Sequence, residues 1–571
     1  MVQFYFDNCV VTYRCLHQAT VVQWAEALLT NVETARPWHY EVGHARASII
    51  ITILAIVTLR QDKIRNNGTS DVSHMCALGD AFFCLATSLT DVETGLPTLA
   101  SAQARILHVL YLLQTTRMNQ AWYVFGGLVP IVSALGLHRQ SSFKHRTGGP
   151  HTPRDDFILT QCRKRTFWVC YTIDKYLAVV FGRPRLYHDD DINQGFPDCI
   201  NDEDMTTEGK ADTEPSIDCH VDSLIAHAKL AQLIDRISRE VYSVKKVPKR
   251  ERLASAQRLG LELHEWNRSL PSHLGTVRIR SLIPPFRRQA SALKLAYCHA
   301  IMHANRPFLL GAASLSAAQR NRVSSVVSGT KDLPDMSPLA SNAPRTMTLQ
   351  DSISECLGAA KVALELVDSM SPDGALFHAF WWTPYVTFCA LAVVYVWEIQ
   401  QQQFPGFDKQ GGDHPATTNH AGLSSRDRLQ GLLELAQRCQ RHLSQSTSAD
   451  SPSHRYSVIL EELRKEAKLQ GGARPVENSS TNVVHAAEEI AASAMLADGM
   501  PPGMSQDFYG GNSGVAGGTF VGGTIFDAWQ TRDWMDLDSS AFGPYPDFIH
   551  GPMLPLLNDL GEPAFQPSPQ I

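Results

Sequence analysis

Apolar residues return at every third or fourth position along the first two-thirds of this chain, in runs separated by short polar breaks. Ile106, Val109, Leu110 and Leu113 form one such stripe, the periodicity of a helix that buries one side. The pattern predicts helices over 21–32, 44–60, 72–89, 99–116, 119–135 and 157–181. Further helices are predicted over 223–242, 253–267, 290–309, 349–370, 377–400, 426–443 and 456–469. Alternating strand patterns between hairpin turns are scarce. The expected fold class is all-α: a large multi-helix domain with disordered insertions and a disordered C-terminal tail.

Three stretches break the periodicity and read as insertions or linkers. Residues 314–348 are rich in Ser, Ala and Pro, 401–425 are polar with Gly and His, and 444–453 are Ser-rich. From 471 onward Gly, Ser, Asn and Pro dominate, broken by one short Ala-rich helix near 483–496, so 471–571 reads as a low-complexity tail. Within it, 525–550 interleaves aromatics and acids: Phe526, Trp529, Trp534, Leu537 and Phe542 lie among Asp527, Asp533, Asp536 and Asp538. Acidic neighbours keep aromatic side chains solvated and available to fold onto a partner's hydrophobic groove, the composition of an activation segment. A terminal strip packing back on its own domain is the alternative.

The bulk numbers narrow the picture. A chain of 571 residues holds one large domain or two to three ordinary ones. A net charge of −6 and a pI near 6.4 give no global attraction to phosphate, so any nucleic-acid contact needs a local basic patch. Twelve scattered cysteines fit a reducing compartment better than a disulfide framework. No signal peptide opens the chain, because a basic start is lacking and Asp7 interrupts the apolar residues. Residues 375–397 carry no formal charge and are long enough to span a bilayer. They contain His378, Trp381, Trp382 and Pro384 and lack flanking Lys/Arg asymmetry, which favours a buried core helix.

One block stands out. Gly136-Leu137-His138-Arg139 is followed by Arg163-Lys164-Arg165-Thr166-Phe167-Trp168, then Tyr171, Asp174 and Gly182-Arg183-Pro184. Asp189-Asp190-Asp191, Pro197 and Asn201-Asp202-Glu203-Asp204 complete it. The predicted helix places Trp168, Tyr171 and Leu177 toward a core, and Asp174 within reach of a basic side chain on a neighbouring turn or helix. Gly182 suits a C-cap with positive φ, and Pro184 prevents continuation. The three aspartates belong in an exposed loop or cap the next turn, paired with nearby cations. A hard cation is the other option, though the Gly and Glu of a calcium loop are missing.

The order of this block resembles the middle homology region, the regulatory domain of fungal zinc-cluster transcription factors. Tyr5-Phe6, Tyr13-Arg14, Leu16-His17, Trp24, Gly95-Leu96-Pro97, Gln103-Ala104-Arg105 and Ala121-Trp122-Tyr123 extend the resemblance, as do Trp266, Arg306-Pro307-Phe308 and Trp381-Trp382. It covers roughly 1–465, best over 93–204. It implies a helical, non-enzymatic transcription regulator in the nucleus, controlling target genes such as a metabolic or biosynthetic cluster. Implied partners are the transcriptional machinery or a coactivator, and a second copy or a DNA-binding family member as a dimer. The family grips DNA through a six-cysteine, two-zinc cluster. Here Cys9 and Cys15 have the wrong spacing and no Cys-x-x-Cys occurs, so DNA is reached only indirectly from this chain. No cofactor is expected, and zinc only if a cysteine cluster lies upstream.

Other chemistry competes weakly. His299 and His303 stand four apart beside Cys298, a spacing that can hold zinc, but Ala300 replaces the Glu of a His-Glu-x-x-His base. The bland reading is a satisfied, partly buried pair. The alternative function is a helical metabolite- or metal-binding protein or enzyme, with this pair or the Asp189–Asp191 loop as its site. The Gly-rich 510–523 lacks the Gly-Lys-Ser/Thr ending of a phosphate loop, and no Gly-x-Ser-x-Gly elbow occurs. Lys245, Lys246, Lys249 and Arg250 form a compact basic run that resembles a nuclear import signal or, equally, an exposed interhelical loop.

Overall fold

A computed structural model describes residues 1–65, 74–140, 156–211, 218–243, 245–309, 323, 348–370, 381–403, 425–445 and 452–469. Among the described residues there are thirteen long helices: α1 (Gln18–Glu33), α2 (His44–Arg65), α3 (His74–Asp91), α4 (Leu99–Gln114), α5 (Met118–Ala134), α6 (Phe157–Phe181) and α7 (Asp222–Glu240) come first. They are followed by α8 (Lys249–Arg268), α9 (Pro284–Leu309), α10 (Leu349–Met370), α11 (Thr383–Gln403), α12 (Ser425–Gln445) and α13 (Pro452–Leu469). The described residues contain no strand, only an isolated bridge between Met205 and Lys210. The all-α expectation holds.

Five helices are apolar almost all round, and this places them inside. In α2, α4, α6, α9 and α11 nearly every central residue is buried: 100–113 in α4, 165–181 in α6 and 289–306 in α9 are examples. Amphipathic helices cover them. α2 packs on α3 and α4, α6 on α7, and α9 meets α7, α8, α10 and α11. α12 and α13 close over α11. A single hydrophobic core runs from Tyr5 to Leu460.

Helix ends moved where polar first turns hide from an apolar count. α9 begins at Pro284 rather than 290, because Pro284 and Pro285 tolerate the first turn, where no backbone donor is required. α8 begins at Lys249 rather than 253, just after Pro248. The N-terminal residues form a turn of helix at Val2–Phe4 and a π-helical turn at Tyr5–Cys9. α11 starts at Thr383, with Trp381 and Trp382 in the turn before it. No helix among the described residues is long and apolar enough to cross a membrane. The expected insertions lie almost wholly outside the described residues, as does the tail from 470.

Candidate functional site

α6 carries the conspicuous block and is closed at both ends. Asp156 Oδ1 accepts the N–H groups of Ile158 at 3.0 Å and Leu159 at 3.3 Å, satisfying two donors that the helix leaves free. Gly182 closes the other end at φ +62°, and the Arg183 N–H reaches back to Ala178 O at 3.1 Å. Gly136 ends α5 in the same way at φ +63°, with the Leu137 N–H on Val132 O at 3.1 Å.

From these two caps the rest of the block assembles into a clamp. One face of α6 holds the segment 183–205 antiparallel to itself. Asp174 accepts the Leu186 and Tyr187 N–H groups at 2.9 and 3.1 Å. Tyr171 donates to Asp189 Oδ1 at 2.6 Å, and Trp168 Nε1 to Gly195 O at 2.9 Å while stacking on Phe196 at 4.3 Å. Arg165 donates to Asp202 Oδ1 at 2.6 Å and Ile200 O at 2.8 Å, and Gln161 Oε1 accepts the Asp198 N–H at 2.9 Å. The Gly136–Arg139 turn grips the same segment from the other side: His138 O accepts the Asn193 and Gln194 N–H groups, each at 3.2 Å. Arg163 Nη2 ties α6 to Leu135 O at 2.9 Å, and Arg183 lies over the Trp122 ring with Nη2 on Asn119 Oδ1 at 2.6 Å. Thr166 receives the Gln103 amide at 3.3 Å, and Pro184 follows the cap in the turn.

Most of this block faces inward. Phe167, Trp168 and Tyr171 are buried, and so is Arg165, whose charge is matched by Asp202. Burial works against the Asp202 charge, yet Arg165 beside it holds the carboxyl below its ordinary value. Asp174 goes the other way, since burial raises it despite Lys175 at 3.4 Å. Lys175 also meets Asp235 at 3.3 Å, and Asp235 collects Arg185 at 3.0 Å and Arg239 at 2.9 Å. Sequence reading expected a basic partner for Asp174 but missed Asp235 and its two arginines. The only signal was Asp174-Lys175 inside an otherwise apolar run.

The histidine pair differs from its expected form. His299 and His303 are fully buried rather than partly so, and neither ring nitrogen of His299 has a hydrogen-bond partner. Burial, helped by Arg306, pushes His299 down to about 3. The rings stack at 5.6 Å, and His303 also stacks on Tyr242 at 4.3 Å. α9 is wrapped on several sides by other helices, which the local spacing of two histidines cannot reveal. No group of three His, Cys, Asp or Glu suited to a metal exists among the described residues. In the Asp189–Asp191 turn, Asp190 and Asp191 are exposed, while Asp189 takes the Tyr171 hydroxyl and lies 3.9 Å from Arg239. Its partners are the Tyr171 hydroxyl and the Arg239 guanidinium.

Residues 2–268 match the model of the fungal specific transcription factor domain. Over these residues the chain resembles that domain. It is 22% identical to Activator of stress genes 1 of Saccharomyces cerevisiae, over 71% of this chain and 38% of that protein. A putative transcriptional regulatory protein of the same yeast is 24% identical over 82% of this chain and 59% of its own length. A transcriptional activator protein of Neurospora crassa is 27% identical over 31% of this chain and 18% of its own. The chain thus spans less than two-thirds of each of these relatives. No solved structure matches it.

The domain match contains the whole clamp and ends at Arg268, the end of α8. The apolar core continues past that point through α9 to α13. Lys245 and Lys246 are exposed just before α8, and Lys249 and Arg250 are exposed in its first turn. The basic run is therefore accessible, half loop and half helix. Phe526, Trp529, Trp534, Leu537 and Phe542 lie outside the described residues.

Proposed function

We propose that this chain is a nuclear transcription regulator in which the helical domain is the regulatory part and the acidic-aromatic tail contacts a coactivator. The observation that carries this reading is the match of residues 2–268 to the fungal specific transcription factor domain, beside similarity to relatives named as transcriptional regulators. The clamp supports it from the chemical side. The block's polar side chains mostly bind the protein's own backbone or balance one another's charges. No nucleophile–base pair is assembled among them. DNA is reached through a DNA-binding family member or a zinc cluster outside this sequence.

The test fuses residues 510–571 to an unrelated DNA-binding domain upstream of a reporter. Activation is expected. Replacing Trp529, Trp534, Leu537 and Phe542 by Ala abolishes it, because apolar burial at about 25 cal/mol per Å² supplies most of the binding free energy. Replacing a few aspartates only weakens it, since charges chiefly steer association. A silent fusion at normal expression contradicts the coactivator role.

A further inference from the structure

A second feature lies at the foot of the clamp, where the N-terminal segment crosses the 201–203 turn and the start of α7. A cavity of about 270 Å³ opens there, and of its nine lining residues only Val221 is apolar. Its walls include Asp7, Arg14, Asn201, Asp202, Glu203 and His220. For scale, an apolar cavity of roughly 150 Å³ accommodates benzene, so this volume admits a solute of about ten non-hydrogen atoms. The lining selects a hydrophilic one.

The charges in the wall are unevenly answered. Arg14 is only 8% exposed, and its Nη2 is used by Phe6 O at 2.9 Å. Asp202, the acid beside it, already serves Arg165 at 2.6 Å and the Gln18 N–H at 2.8 Å. A nearly buried cation without a carboxylate of its own is costly, and a ligand anion would relieve it. His220 is held by its backbone N–H on Asn201 Oδ1 at 2.9 Å and by stacking on Phe286 at 4.6 Å. Asp7 and Glu203 supply negative charge elsewhere on the wall.

We propose that this cavity binds a small zwitterion, a hydrophilic α-amino acid, with its carboxylate toward Arg14 and its ammonium toward Glu203 and Asp7. A phosphate or dicarboxylate would satisfy Arg14 but face the acids, and a simple amine would leave Arg14 unanswered. The bound molecule would bridge the N-terminal segment to the loop that α6 clamps, which couples occupancy to the packing of the domain. That consequence rests on the regulatory reading; the binding itself does not.

Thermal shift and calorimetry on the full chain test it with the twenty protein amino acids at millimolar concentration and inorganic phosphate as comparison. At least one hydrophilic amino acid should raise the melting temperature, and its methyl ester and N-acetyl derivative should not. Arg14→Gln and Glu203→Gln should each weaken binding at least tenfold. Should Arg14→Gln fail to fold, the Glu203→Gln result decides, because Glu203 is exposed. Absence of any shift, equal binding of the N-acetyl form or of phosphate alone, or unchanged affinity in Glu203→Gln would overturn the proposal. Because the readout is binding, its failure leaves the transcriptional reading standing, and a silent reporter leaves this one standing.

Discussion

A large ring held on both its apolar and polar sides has no cheap substitute, and Trp168 is such a ring. It stacks on Phe196, meets Tyr171 edge-on at 5.2 Å and donates Nε1 to Gly195 O. Trp168→Ala should destabilise the chain by roughly 3–5 kcal/mol, read as a lower denaturation midpoint. An unchanged midpoint would mean that the ring serves a surface instead. Buried histidines set a pH dependence of definite sign. His108, His227 and His299 are each held near 3 by burial, against 6.5 in the unfolded chain. Between those values the unfolded chain binds protons that the folded one refuses, so stability is lost as pH falls below about 6.5. From pH 7 to 5 each contributes a loss on the order of 2 kcal/mol. His299→Leu removes one such group whose nitrogens bond nothing, so denaturation at pH 7 should be no easier and the acid slope shallower. A steeper slope would contradict this. At this scale Trp168 and Asp174 were legible as core-facing and paired. The burial of Arg165 and His299 was not, because it depends on helices distant in sequence.

The helices themselves were legible because apolar spacing repeats over many turns, whereas their ends depend on single residues. Gly182 is the clearest case where one residue decides an end: it was read as a C-cap and sits at φ +62°. An L side chain there meets its own backbone, so Gly182→Ala should cost about 1–2 kcal/mol and loosen the loop that follows. Amide hydrogen exchange should then speed up at Leu186 and Tyr187, whose N–H groups Asp174 holds. Unchanged exchange would show that the Asp174 contacts, and not the cap, fix the loop. The starts of α8 and α9 were misjudged for the converse reason. Their first turns are proline-led and polar, so the apolar period begins a turn late.

Over the whole molecule, the block that identified the domain proves to be its internal brace. Gly136 to Arg139, the inner face of α6 and the 183–205 segment are joined by hydrogen bonds and continuous with a core that reaches Leu460. This explains why the family resemblance could be read from sequence while an effector site could not. Bracing residues lie close together in sequence and at helical spacing, whereas the cavity near Arg14 gathers residues from 3 to 221 with no local pattern. The most direct measurement of regulatory function is promoter occupancy of the tagged full chain combined with transcript profiling after its rapid depletion. The expected result is enrichment at discrete promoters whose transcripts change promptly on depletion. No enrichment above an untagged strain, together with unchanged transcripts, would contradict a role in transcription.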